Sequence, residues 1–195
     1  MRGWRIGVAV LGVAGMMLGV GAPAGAATQS GVGSSKVQAT VYAQRMLACT
    51  SPDYCNGVVT VPRAWRQVKT ARWQDRFVDP SAPRMIRFDL DQQHRITPAA
   101  AMKKREAALR GTPGLKVLGR ATSTLTTARG GKVRMATLVY TYRSGSTTRW
   151  VANRFVSLYD IPDQAVELTV AGRLADKAVL TTTLAQATRT FTLVG

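Results

Sequence analysis

The chain has 195 residues, with 27 Lys and Arg against 10 Asp and Glu, one His and two Cys. One His and two Cys leave too few N and S ligands for a four-coordinate zinc centre. A length of this order suits a single domain whose core needs neither metals nor many disulfides. The formal charge of +17 creates a field that attracts polyanions. Arginine far outnumbers lysine and Ala and Gly abound, so a GC-rich genome would produce the same charge with no binding role.

In chain order, Arg2 and Arg5 open a short positive start, and residues 6–20 form an apolar run without a charge. Ala22-Pro23-Ala24-Gly25-Ala26 then ends in small residues that place a cleavage site after Ala26. This is the layout of a secretory signal peptide over residues 1–26. A membrane anchor is the competing reading, but the run holds about 15 residues where spanning needs roughly 20. No later run is long enough to span, so no integral segment is expected after cleavage. No Cys follows the run for lipid attachment, and Arg2 and Arg5 are not adjacent as the twin-Arg route requires. Two of the 27 basic residues and none of the ten acids lie in the leader, which leaves 25 against 10, a charge of +15. Residues 27–40, rich in Gly, Ser and Thr, read as a flexible tether, and residues 41–195 as one α+β domain.

Residues 41–48 are apolar enough for a short helix or turn. Cys49 and Cys55 are an even pair in an exported chain and predict a disulfide, worth roughly 2 kcal/mol for so short a loop. Residues 56–61 read as a strand that Pro62 ends. Residues 63–78 fit two patterns. Ala64, Trp65, Val68 and Ala71 have helical spacing, with Arg63, Arg66, Lys69 and Arg72 on the adjoining face, yet residues 72–78 also read as a strand. A turn cluster covers 79–83, and residues 84–90 alternate as a half-buried strand, with Ile86, Phe88 and Leu90 on one side.

Thr97-Pro98 should start a helix, Thr97 as cap and Pro98 as first helical residue, with Met102, Arg105 or Glu106, and Leu109 marking one side. Gly111 and Pro113 stop it. Strands follow at 115–124, 132–142 and 149–159, with hairpin turns at Gly130-Gly131 and Ser144-Gly145-Ser146. A further strand at 165–171 puts Val166, Leu168 and Val170 on one face. A second helix over 176–186 should bury Val179, Leu180 and Leu184, and a short strand with Phe191 and Leu193 closes the chain. The order β-β-β-α-β-β-β-β-α-β predicts a mainly antiparallel β-sheet covered by helices.

Several segments together carry a resemblance. They are Val61-Pro62-x-x-Trp65, Phe77-Val78-Asp79-Pro80, the helix ending in Pro113-Gly114-Leu115, the strands at 135–142 and 150–155, and a last helix leading to Thr190-Phe191. Over residues 56–194 the chain resembles the extracytoplasmic domain of some actinobacterial Ser/Thr protein kinases. It is also similar to exported proteins with the PsbP-like α/β/α sandwich, the LpqN-type lipoproteins among them. The resemblance implies an antiparallel sheet between helices and a binding or accessory role, and supplies no catalytic residues. The chain departs from those relatives in lacking a kinase domain and a lipid-modified Cys.

Candidates for chemistry are few. His94 is the single His and has no Gly-x-Ser-x-Gly elbow to serve. Asp89 and Asp91 sit two apart on a strand, so both could face one side as in a glycosidase carboxylate pair, but beside arginines they read as ion pairs. Asp160 and Asp163 flank Ile161-Pro162 as turn residues, and no EF-hand calcium loop is present. Arg129-Gly130-Gly131-Lys132 lacks the full phosphate-loop pattern and reads as a turn. No cofactor is expected. Arg63, Arg66, Lys69 and Arg72, with Lys103, Lys104 and Arg105 on the first helix, form the candidate anion-binding set. Trp65 and Trp73 are interleaved with them, as in surfaces that stack bases or sugars, although core packing accounts for both. Tyr140, Tyr142, Trp150 and Tyr159 are a candidate aromatic cleft, with core packing again the simpler account.

The sequence therefore predicts a secreted, extracytoplasmic, non-enzymatic binding or accessory domain. Its partner is an anionic envelope polymer or lipid surface, with nucleic acid less favoured. The alternatives are a protein docking on an acidic exported partner, and a wall-directed hydrolase.

Overall fold

The computed structural model describes residues 40–47, 57–93, 96–126, 132–158 and 161–193. The expected signal peptide, nearly all of the tether, Cys49, Cys55, His94 and Tyr159 lie outside the described residues. Strands β1 (Tyr42–Leu47), β2 (Gly57–Pro62), β3 (Arg66–Ala71), β4 (Gln74–Val78) and β5 (Met85–Gln93) precede helix α1 (Pro98–Ala108). Strands β6 (Lys116–Thr126), β7 (Lys132–Ser144), β8 (Thr147–Leu158) and β9 (Ile161–Arg173) follow, and a 3-10 turn leads into helix α2 (Lys177–Thr190) and β10 (Thr192–Leu193).

Every pairing is antiparallel. Seven strands form one sheet in the order β3-β4-β5-β9-β8-β7-β6, and β1-β2-β10 form a second, smaller one. The predicted turn at residues 144–146 is a tight hairpin in which Ser144 pairs with Thr147, and Gly145 takes φ +60°, which glycine adopts at little cost. At the start of α1, Thr97 Oγ1 accepts a hydrogen bond from the Ala100 amide at 3.3 Å, and Pro98 occupies the first turn, as the sequence predicts.

The large sheet is covered on both faces. On one face α1 lays Ala101 and Met102 against Ala136, Leu138, Tyr140, Val151 and Phe155. On the other, Leu180, Leu184 and Ala187 of α2 pack with Val166, Leu168, Val170, Phe77, Ile86 and Phe88. Leu47, Val59 and Val61 of the small sheet join this second cluster, so α2 and the small sheet share the layer opposite α1. Strand β9 lies between both layers and is buried without a break from Ala165 to Gly172. Gly172 permits the close approach of α2, because a Cβ there would lie 2.7 Å from Leu180 Cδ1.

Two expected segments change class. Residues 41–48 were open to helix or turn; their core is strand β1, which pairs along its length with β2. Residues 63–72 are a turn followed by β3 rather than a helix, because a two-residue turn at Arg72-Trp73 folds this segment back on β4. Cross-strand pairing overrides the helical spacing of its apolar residues. The second helix runs four residues beyond the expected end, to Thr190, and Val179, expected to be buried, is exposed.

Candidate functional site

The even and odd positions of β9 have different chemistry. Val166, Leu168 and Val170 serve the α2 core, while Ala165, Glu167, Thr169 and Ala171 face α1. A Glu in a buried strand needs partners, and Glu167, 7 % exposed, has four. Oε1 accepts from Thr169 Oγ1 at 2.6 Å, Asn153 Nδ2 at 2.7 Å and Arg87 Nη2 at 3.2 Å. Oε2 accepts from Arg105 Nη2 of α1 at 2.5 Å. Burial alone would raise the pKa of this carboxyl, but hydrogen bonds from Thr169 and Arg105 and the charges of Arg105 and Arg87 outweigh it and hold the pKa below the ordinary value. The ionised carboxylate thus ties α1 to the sheet. Its oxygens are saturated by internal donors, which makes it a structural tie.

Asp89 is Glu167's register neighbour on β5. It accepts from Gln74 Nε2 at 2.8 Å and from the Asp91 amide at 3.2 Å. Its pKa is raised, first by burial and further by the charges of Glu167 and Asp91, against the opposing Asp91 amide and Arg87. An acid whose pKa is higher folded than unfolded loses stability as pH rises through that range. Asp89→Asn should therefore be at least as stable as the parent at neutral pH, and its advantage should vanish in acid. Thermal melts across the carboxylate pH range test this; a variant less stable at neutral pH would show that the charged form is favoured.

Helix α1 packs over β7, β8 and β9, and among the described residues no helix covers the same face of β3, β4 and β5. Register places Val68, Arg76, Arg87, Thr169 and Asn153 in one row across five strands. Arg76 and Arg87 are direct cross-strand neighbours, and like charges placed opposite one another are destabilising. Arg87 has Glu167 as counterion; among the described residues no ion pair is made by Arg76. The Nε atoms of both are buried without a hydrogen-bond partner, as is Asn153 Oδ1. Arg66 lies on the same face, paired with Val78 one row away.

The structure separates the basic residues singled out in the sequence. Arg63 is in a turn and Arg72 in the β3–β4 hairpin, its Cζ 5.0 Å from the Trp73 ring centroid. Arg66 and Lys69 project from opposite faces of β3, since Lys69 aligns with Asp75 and Arg66 with Val78. The single stripe that a helix over residues 63–72 would form is therefore absent. Lys103 and Lys104 are on the exposed side of α1, whereas Arg105 turns inward onto Glu167 and is unavailable for an external anion. Trp65 is buried in the core.

The aromatic cleft is corrected by register. Tyr140 pairs with Val151, and Trp150 with Thr141, so Tyr140 and Trp150 lie on opposite faces of the sheet and in different core clusters. Tyr140 and Tyr142 remain neighbours at 6.3 Å between ring centroids. Burial pushes the Tyr140 hydroxyl up to about 12. A groove of about 280 Å³ lies elsewhere, between the start of α1 and β6–β7, lined by Thr97, Thr122, Thr124 and Arg134 among others. Among the described residues no three His, Cys, Asp or Glu gather as a metal site, and no helix is long and apolar enough to cross a membrane.

No protein-family model and no curated protein matches the sequence. Solved structures share the fold. The Ran-binding protein Mog1p of Saccharomyces cerevisiae aligns with a TM-score of 0.55 at 12 % identity, over 80 % of this chain and 97 % of that one. LpqN of Mycobacterium tuberculosis, described as involved in cell envelope biogenesis, aligns at 0.52 and 17 % identity, over 79 % and 92 %. The cyanobacterial PsbP protein CyanoP of Synechocystis aligns at 0.50 and 12 % identity, over 82 % and 96 %. The α+β sandwich expected from the sequence is thus the PsbP/Mog1 fold.

Proposed function

We propose that this chain is an exported, non-enzymatic binding or accessory domain that docks on an anionic component of the cell envelope. The docking surface is the open face of β3–β5, with the outer side of α1 beside it. The observation that carries this reading is the Arg76–Arg87 neighbour pair, two cross-strand arginines of which Arg87 has a carboxylate partner and, among the described residues, Arg76 has none. An external phosphate or carboxylate held by Arg76 and Arg66 relieves that repulsion. Lys103 and Lys104 extend the positive field and steer the polymer. LpqN's link to the cell envelope and Mog1p's Ran binding support this at the level of a fold that serves as a binding platform.

The test is binding of purified residues 27–195 to an isolated cell-wall fraction across a salt series. Affinity should fall steeply with salt. The double variant Arg66→Glu, Arg76→Glu should bind at least roughly tenfold more weakly at low salt with a melting temperature no lower than the parent's, since among the described residues neither arginine holds an ion pair and a carboxylate at position 76 would face Arg87. Affinity that is flat in salt, or equal in the variant, would remove the reading.

A further inference from the structure

The two edges of the large sheet differ. Strand β3 has six mostly exposed residues, carries Arg66 and Lys69, and is interrupted by a bulge; short, charged, irregular edges resist pairing. Strand β6 has 11 residues. Past a bulge between Val117 and Gly119, residues 119–126 pair with β7 in unbroken register. Among the described residues nothing pairs with its other side. Every second residue of this run thus points its backbone N–H and C=O outward. The run has no Pro, and between Arg120 and Thr126 no charge. Leu118 and Leu125 are 45 % and 48 % exposed on this edge.

Charge selects what fits. Strands β6, β7 and β8 together carry seven Lys and Arg and no Asp or Glu. Arg120 alone of those on β6 is offset, by Glu106 of α1. A second copy of the chain would set these cations against themselves. We infer that β6 accepts an extended acidic segment of another protein as an added eighth strand. Main-chain hydrogen bonds along residues 119–126 supply affinity, Leu125 covers apolar side chains on one face, and Lys132 and Arg134, which share the other face, meet the acids. This edge is distinct from the β3–β5 face.

The probe is a capped eight-residue peptide alternating Val and Glu, with a Val–Lys peptide as control, added to the exported chain. Amide hydrogen exchange is followed along the whole protein. The Val–Glu peptide should slow exchange about tenfold or more in residues 119–126 and nowhere else, and the Val–Lys peptide should not. Ser123→Pro and Thr124→Pro form the second arm. Adjacent amides point to opposite sides, so one of the two removes an outward donor and leaves the fold intact, as edge proline does. That folded variant should lose the protection. The inference is overturned by equal protection from both peptides, by none, by protection elsewhere, or by a dimer in sedimentation that the proline abolishes, which would make the occupant a second copy. None of these outcomes depends on the Arg66 and Arg76 variants.

Discussion

Glu167→Gln should destabilise the protein by about 3 kcal/mol, seen as a lower urea midpoint at unchanged slope. The substitution keeps the volume and removes the charge. Arg105 and Arg87 lose their shared counterion, and the new amide group points a donor at Asn153, Thr169 or the guanidinium groups, which are donors themselves. The two arginine side chains are about a third exposed (34 % and 30 %), so water softens the loss and the low end of the range for a broken buried pair applies. The pH dependence has a definite sign. The folded pKa of Glu167 is lowered, so the pair's contribution is complete above the ordinary carboxylate value and is lost as pH falls through the folded one. The gap between parent and variant should close in acid. A variant as stable as the parent at pH 7 would mean that the network has no net value. Arg105→Leu made in the same background would then show whether α1 is held by packing alone.

The helices and central strands are legible because period and punctuation agree in them. Thr97-Pro98 gives the start of α1, and strict alternation gives β5 and the α2 side of β9. Gly145 gives the hairpin of β7 and β8. Strands β1 and β3 are not legible. Residues 42–47 alternate weakly, and their strand conformation comes from pairing with β2 and from burying Leu47. In β3, Val68 and Ala71 have a helical spacing that is accidental, because the residues facing them are supplied by β4. Pairing partners far along the chain decide both cases.

The site was harder to read than the fold. Arg63, Arg66, Lys69 and Arg72 of the candidate basic set would form one stripe only if residues 63–72 were helical, an open question that β-pairing decides against, and the candidate aromatics drew on strands whose relative register was unknown. A register of one residue decides that Tyr140 faces α1 and Trp150 faces α2. Arg105 looked like a surface cation because its partner lies 62 residues away. One signal was available. Glu167 interrupts Val-Glu-Leu-Thr-Val, and an acid inside a strand buried on both faces must be paired. Arg87 of the neighbouring strand β5 is a candidate partner once the strand order is known. Arg76 and Arg87, separated in sequence by a turn, become neighbours only through the antiparallel hairpin.

Phe88→Ala should cost about 4 kcal/mol, measured by denaturant unfolding, and its effect should reach beyond the strand that carries it. Phe88 is fully buried. Its ring stands edge-on to Phe77 with centroids 5.9 Å apart and stacks on Phe191 at 6.4 Å. Phe77 belongs to the large sheet, whereas Phe191 caps α2 and leads directly into β10, which pairs with β2. The same ring also closes the end of the small sheet, since the Phe191 edge lies 3.5 Å from where a Cβ on Gly57 would be. Truncation therefore removes the contact that joins the two sheets at this point as well as leaving a cavity. Amide exchange in β2 should accelerate in Phe88→Ala more than in a core variant of similar cost on the α1 side, such as Leu138→Ala. Phe191→Ala should reproduce the acceleration at a smaller cost, because Phe191 is only partly buried. Equal acceleration in Leu138→Ala would mean that the sheets are coupled through global unfolding, and Phe88 would be an ordinary core residue.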